Sequence, residues 1–466
     1  MHFRKLIALL LVLFMMAGFP IAHAEEAPAV LSSSRPEVYY AASSTTPLRE
    51  NKELRDHLAD ALTRCVSEVS LESFKIKATQ ANVDAISELI FYEIPEAFHY
   101  VGGGFYYNSS NYLTQMEIYY LYDAKTYTPM YNACKAAAQK LTAGLEGLGD
   151  VEKALLLHDR LALHCEYSVD DLTNGTYDDN DFTIYGALVE QMAVCQGYAF
   201  AYEYLLDLAG IESTICSSED LNHAWNIVTI GRVKYHVDVT WDDPVEDITG
   251  QVYHDNFLIS STALYNNGHK ASDYDTSPTA TTYDQAFWRY AYSSFQLVKG
   301  ELYYIDSADF AIRRYSDQAT IHTIDQKWTV NSFSFSSCYA RLATDGKNLI
   351  YSLPGSIYWL ELSTGKTMLL HQATLETGFQ IYGFDLQGTT MIIEPFDYPV
   401  FEHDTKKTYQ FTKPYADPAP KMTDAVKLLR RLAGERVVLS AYLLDRNNDD
   451  TLTIADTVLL LRELSA

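Results

Sequence analysis

The sequence predicts an α+β domain, then an all-β segment, then a small α-helical module. Three observations carry this. Helical and strand patterns mix up to about residue 285. Short aromatic and β-branched runs alternate with turns over 286–412. One helical motif repeats near the end of the chain. The chain has 466 residues, room for two to four domains, and 48% of them are hydrophobic, enough for a sizeable core and against global disorder.

Residues 1–24 read as a secretory signal. Arg4 and Lys5 precede the apolar run LIALLLVLFMMAGF, and AHA ending at Ala24 is a small-x-small cleavage site. That run falls short of the ~20 apolar residues that span a membrane comfortably. Residues 25–47, rich in Ser, Thr, Ala and Pro, read as a flexible leader. Residues 48–285 form the predicted α+β domain. LRENKELRDHLADALTRCV and MYNACKAAAQKLTAGLEGL carry helical periodicity; FHYVGGGFYY and QMEIYYLY read as strands.

The chemistry lies between Thr183 and Pro244. Cys195 stands in AVCQGYAFAYEYLLDLAG, where Ala199, Tyr202, Leu205, Leu206 and Leu208 fall near helical spacing and Gly210 stops the helix. Cys195 thus sits at or near a helix start, where free amides and the positive dipole end favour a thiolate. His223, in LNHAWNIV, and Asp238, in VKYHVDVTWDDP, lie on two alternating runs flanking Gly231, a hairpin signal. With the turn centred on Ile230-Gly231, His223 is directly opposite Asp238 on one face, about 5 Å away. The carboxylate can then hold one imidazole nitrogen and leave the other for the thiol. A single Cys is more often a small buried hydrophobe, and a lone strand His is usually structural. The joint pattern is what points to an activated nucleophile. Trp225 and Trp241 flank the strand residues, as cleft walls or as core.

YGALVE, AVCQGYAFAYEYLLDLAGI, NHAWNIV and YHVDVTWDDP, in that order, closely resemble the bacterial branch of the transglutaminase-like superfamily. FYEIPEAFHYVGGGFYY and ALLLHDRLALHCEYS extend the resemblance more weakly, over roughly residues 50–290. The resemblance implies a papain-like α+β core, with Cys195 as nucleophile, His223 as general base and acid, and Asp238 as orienter. It implies attack on a protein or peptide amide through a thioester. Amine transfer, deamidation and proteolysis all stay open, because the cleft chooses the acyl acceptor; water, the default acceptor outside a cell, inclines the reading to hydrolysis.

Residues 286–412 carry a loose repeat marked by Gly300, Gly346 and Gly388. The period suits propeller-type blades, but three units are too few for an ordinary closed ring, so the expectation is a partial propeller or a sandwich.

Residues 413–466 hold the second strong signal. TDAVKLLRRLAG (423–434) and ADTVLLLRELSA (455–466) match at an offset of 32 residues. Before the second copy, oxygen donors at Asp445, Asn447, Asp449, Thr453 and Asp456, with the Thr451 carbonyl, have EF-hand-like spacing that suits Ca²⁺. Asp450 stands where such a loop prefers Gly, and Asp456 where Glu is usual. Duplicated loop–helix units of this kind resemble dockerins, and the resemblance implies docking to a cohesin-like scaffold domain, as in cellulosomes. The first copy, KPYADPAPKMTD, has lost its early ligands, so one metal site is expected.

The six cysteines show no CxxC spacing, which argues against zinc. Net charge is −26, and loss of residues 1–24 takes Arg4 and Lys5 and leaves −28. So acidic a chain has little affinity for nucleic acid. No membrane association is expected after signal cleavage. The sequence therefore reads as a secreted, extracellular cysteine enzyme tethered by a dockerin-like tail, with no cofactor for catalysis. Its alternative is a non-catalytic binding or assembly component of a polysaccharide-degrading complex. Glycoside hydrolysis by the chain itself ranks last, for want of a convincing acid pair.

Overall fold

The computed structural model describes residues 30–34, 48, 51–169, 178–245, 247–291, 293–324, 340–397, 402–414, 421–433 and 453–465. The expected signal segment and most of the expected 25–47 leader lie outside them; Val30–Ser34, read as part of a flexible leader, is instead a strand paired with Gly102–Tyr106. No helix among these residues is long and apolar enough to cross a membrane. The architecture is mixed α and β, with several sheets and no closed barrel among the described residues.

The first unit runs β1 (Val30–Ser34), α1 (Lys52–Thr63), β2 (Glu68–Ser70), α2 (Gln80–Glu93), β3 (Tyr100–Tyr107) and β4 (Leu113–Tyr120). Its sheet is ordered β1-β3-β4-β2. Asn51 and Thr79 cap the two helices through their side-chain oxygens. Leu54, Leu58 and Leu62 of α1 meet Val83, Ile86 and Ile90 of α2 over Phe105 and Met116 of the sheet. The expected helix over 48–71 is shorter, because SEVS pairs with β4 instead.

The central unit comprises α3 (Ala124–Leu141), α4 (Asp150–Ala162), β5 (Glu166–Tyr167), β6 (Met192–Ala193), α5 (Cys195–Leu208), β7 (Ser213–Ser218), β8 (His223–Ile230), β9 (Val233–Val237), α6 (Val239–Asp242), β10 (Phe257–Ile259) and α7 (Ser261–Asn267). Its sheet is antiparallel, ordered β10-β9-β8-β7. The α4 and α5 helices bury Leu155, Leu157, Leu161, Tyr198, Tyr202, Leu205 and Leu206 in one cluster with Val228, Val237 and Phe257 of the sheet. Leucines and tyrosines at helical spacing supply that face.

Among the described residues twelve further strands follow: β11 (Gln296–Val298), β12 (Glu301–Ile305), β13 (Ala311–Arg314), β14 (Thr320–Thr323), β15 (Leu342–Thr344), β16 (Leu349–Leu353), β17 (Ser356–Glu361), β18 (Lys366–Gln372), β19 (Gln380–Gln387), β20 (Thr390–Asp397), β21 (Glu402–His403) and β22 (Lys407–Gln410). They form three four-stranded antiparallel sheets, β11–β14, β15–β18 and β19–β22. Gly300, Gly346 and Gly388, the glycines of the loose repeat, fall in the first hairpin turn of each sheet with φ of 82°, 84° and 59°. One apolar cluster lies between the first two sheets and another between the second and third.

The first of these sheets is not set apart from the central unit. Phe295, Leu302 and Tyr304 belong to the central core, alongside Trp288. The loop after α6 also reaches the third sheet. Glu394 accepts from the Thr249 amide and hydroxyl at 3.0 and 2.9 Å, and the buried Arg341 donates to Gln251. Gly250 (φ 80°) packs so closely on the Phe384 carbonyl that any side chain there would collide with it. At the end of the chain, α8 (Met422–Leu432) and α9 (Ile454–Ser465) pack through Ala425, Leu428 and Leu460.

Candidate active site

Cys195 is the first residue of α5, preceded by Val194 in an extended conformation. The backbone amides of that first turn have no partner within the helix. Gly197 fits because the helix start is pressed against the Asp181 and Thr183 carbonyls, where a β-carbon would clash. This is the structural content of the CQG triplet. Tyr198, one turn on, donates its hydroxyl to the Cys165 carbonyl at 2.7 Å and lies 2.5 Å from Asp243 Oδ2.

His223 opens β8 and Asp238 follows the end of β9, where it caps α6 by accepting from the Trp241 amide. The hairpin register differs from the sequence expectation. Ile230 pairs with Val233 and Asn226 with Val237, so the turn is Gly231-Arg232, one position later. Continued outward, that register sets Asp238 opposite Trp225, with His223 on the diagonal. A two-residue displacement keeps parity in a strand, so both side chains still share a face. Gly231 (φ 56°) and Arg232 (φ 74°) are both left-handed, as a type I′ turn requires, and that requirement moved the centre.

His223 Nε2 lies 2.7 Å from Asp238 Oδ2. Cys195 is near enough to the same ring to add to the rise in its value. The structure therefore pairs His223 with Asp238 and places Cys195 close to that pair. Asp238 is fully buried, His223 nearly so, and Cys195 partly exposed. Burial opposes a charge on His223. The Asp238 charge and hydrogen bond, with Cys195 behind them, overcome it and lift the ring to about 10. Burial likewise pushes Asp238 up, and the two histidines facing it reverse this and hold it well below the usual carboxylate range.

The two tryptophans have different fates. Trp225 is core, with its Nε1–H donating to His236 Nδ1 at 3.0 Å, while Trp241 is 40% exposed and lies 5.5 Å from the His223 ring. His236 is held neutral, its value lowered to about 3 chiefly by burial.

Sequence reasoning missed two features. His269, just after α7, places its Nε2 2.7 Å from the same Asp238 Oδ2. Behind the site lies a second histidine–aspartate network. His158 Nδ1 faces Asp159 at 3.0 Å, its Nε2 faces Asp242 at 3.2 Å, and His254 Nε2 faces Asp159 at 3.0 Å, all of them buried. With a carboxylate at each nitrogen, His158 donates from both and is an imidazolium. Burial opposes that charge, but the two aspartates raise it to about 9. A visible signal was His158-Asp159 itself, a polar pair inside the apolar run ALLLHDRLAL.

Both trios bring donor atoms close enough to consider a metal. Their 2.7 and 3.0 Å histidine–carboxylate separations are hydrogen-bond distances. Two ligands of a tetrahedral ion with bonds of ~2.0–2.1 Å would stand about 3.3 Å apart. Protons, rather than an ion, account for the spacing.

Among the described residues, Cys65, Cys134, Cys165 and Cys195 carry free thiols. Of the candidate calcium ligands, Asp445, Asn447, Asp449 and Thr451 lie outside the described residues. Thr453 and Asp456 lie within them, and fully buried Asp456 accepts from the Thr453 amide and hydroxyl at 2.8 and 3.0 Å. That carboxylate sits at the start of α9, where it caps the first turn through Thr453.

No family model matches the chain, and no curated protein does. A solved structure described as "Crystal structure of a TGase" aligns at a TM-score of 0.22 and 14% identity, over 30% of this chain and 43% of that one. The chain thus spans less than half the length of that protein.

Proposed function

We propose that this chain is a transglutaminase-like cysteine enzyme acting on protein or peptide amides through a thioester. The single observation that supports the reading is a helix-start thiol close to a histidine that a buried aspartate holds. In this scheme His223 takes the Cys195 proton and the sulfur attacks the amide carbonyl. Unsatisfied amides of the first turn of α5 stand where an oxyanion could be met. His223 returns the proton to the leaving amine or ammonia, and the C–N bond breaks. Water, or a second amine, gives up its proton to the same ring and attacks the thioester, releasing the thiol. Asp238 keeps the ring oriented and its charge compensated throughout. Hydrolysis is the default outcome, since water is always available.

The expected secretion and tail fit that role. Met422, Val426 and Leu429 are exposed on α8, and Ile454, Val458 and Leu461 are exposed on α9, each pair 32 residues apart, which gives a duplicated apolar face suited to a cohesin-like partner. Asp445, Asn447, Asp449, Thr451, Thr453 and Asp456 would hold calcium, whose charge would order the loop onto α9.

Mass spectrometry of a peptide library, with and without an amine donor, tests the reading. Chain cleavage, ammonia loss or amine gain that vanishes in Cys195→Ala supports it. No covalent change under any condition overturns it.

A further inference from the structure

Asp238 carries more than one imidazole. His269 Nε2 and His223 Nε2 each lie 2.7 Å from the same oxygen, Oδ2, while Oδ1 accepts from the Trp241 amide at 3.2 Å. His269 is wholly buried, and its Nδ1 has no hydrogen-bond partner among the described residues. A carboxylate oxygen can only accept, so the Nε2 that faces it at hydrogen-bond distance is the donor. Trp241 covers it, ring centroids 3.8 Å apart. Leaving a nitrogen bare in the interior is costly. Packing alone does not call for an imidazole here; its one polar bond, to Asp238, does.

We propose that His269 is a positioning residue of this site: its Nε2–H clamps Asp238 Oδ2 and, by sharing that oxygen, weakens the carboxylate's hold on the His223 proton. The inference rests on the thiol–imidazole reading above and deepens it. A second N–H sets a partial positive charge beside the His223 proton, so the imidazolium gains less than it would from an unshared carboxylate. His223 must both take and return a proton, and too strong a hold would leave it a poor acid toward the leaving amine. The titratable groups facing His223 are Cys195 from α5, Asp238 from the end of β9, and, through Asp238, His269 from the segment after α7. His236 on β9 is committed elsewhere, accepting from Trp225 and facing Ser261 Oγ at 3.0 Å.

The test reads the His223 pKa in the full chain by imidazole NMR, together with the pH profile of Cys195 alkylation by iodoacetamide. His269→Phe removes the donor. We expect the His223 pKa to rise by about one unit and the alkaline limb of the profile to follow it. His269→Gln keeps an amide N–H within reach and returns both close to wild type. Should His269→Phe fail to fold, His269→Asn, too short to reach Oδ2, takes its place against His269→Gln. A folded donor-less variant with an unmoved His223, or a Gln variant that behaves like Phe, overturns the clamp. If wild-type Cys195 proves an ordinary slow thiol while His223 still moves in His269→Phe, the proposed function falls and the clamp stands.

Discussion

Among the described residues, two thiols stand beside imidazoles, and the two pairs are built in opposite ways. Cys195 begins a helix; Cys65 follows the end of α1, with φ 53°, among the carbonyls of the last turn. A helix N-terminus favours a thiolate and a C-terminus disfavours it. His223 has a buried carboxylate behind it. His99, whose Nε2 lies 3.5 Å from Cys65 Sγ, is sandwiched between Tyr127 and Tyr120, ring centroids 3.6 and 4.7 Å away. Burial lowers His99 to about 4 and raises Cys65, with Asp123 adding to the rise. His223 is lifted to about 10. Both cysteines are partly exposed, so access does not separate them. The difference lies behind the imidazole: a carboxylate makes it a proton acceptor, and two aromatic faces keep it neutral.

The most severe way to break this comparison is to remove one sulfur at a time. Cys195→Ala should abolish fast alkylation near neutral pH, and Cys65→Ala should leave the rate unchanged. Were the fast component to follow Cys65, the contrast would be reversed. Next in size is Asp238→Asn, which keeps the shape and removes the charge. Turnover should fall by about 10⁴-fold, and the His223 pKa should drop steeply. An Asn variant with an unshifted ring would show that the carboxylate is not what distinguishes His223 from His99.

The His158 network sharpens the comparison further, since it ties α4 to Asp242 at the far end of the short helix that Asp238 caps. His158→Gln removes the buried cation between Asp159 and Asp242, which keep only their bonds to His254, Phe295 and Asn256, and should cost about 3–5 kcal/mol in urea unfolding. The folded-state value of His158 is raised to about 9 from 6.5. Its contribution is therefore fully present below about pH 6.5 and is lost as pH rises through about 9. A wild-type midpoint that holds flat from pH 7 to 10 while His158→Gln is destabilised would count against a charged ring.

Much of the site was legible because its elements are local. A thiol before an apolar helical run and two alternating runs around Gly231 gave Cys195, His223 and Asp238 in one stretch. The exact register was not legible, because the choice between Ile230-Gly231 and Gly231-Arg232 depends on Arg232 accepting a left-handed conformation. Parity rescued the inference. His269 carried no signal at all: it follows Gly268 in a polar segment without periodicity, and only the packing of α7 brings it to Asp238. The same holds for Cys65 and His99, which lie on separate elements and meet through tertiary packing. The β-rich repeat was readable from its turn glycines. Its union with the central core was not, because Leu302 and Tyr304 look like any other strand residues until Phe287 and Phe295 pack on Tyr304.

The smallest expected effect concerns a second carboxylate close to the first. Asp243, five residues after Asp238, sits 2.5 Å from the Tyr198 hydroxyl, whose single hydrogen also faces the Cys165 carbonyl at 2.7 Å. Burial favours a protonated Asp243, whose hydrogen can then go to the phenol oxygen while Tyr198 keeps its own for the Cys165 carbonyl. Burial, the largest influence, raises it well above the ordinary value, in contrast to Asp238, which two imidazoles hold ionised. The unfolded chain ionises this group above about pH 4, while the folded chain keeps its proton. The native state thus binds more protons, and stability falls as pH rises. Asp243→Asn, which can donate without titrating, should match wild type near pH 4 and exceed it by about 1–2 kcal/mol near pH 7 in urea unfolding. The gap should widen with pH, and an equal gap at both values would mean that Asp243 is ionised in the fold and that the two aspartates differ less than their surroundings.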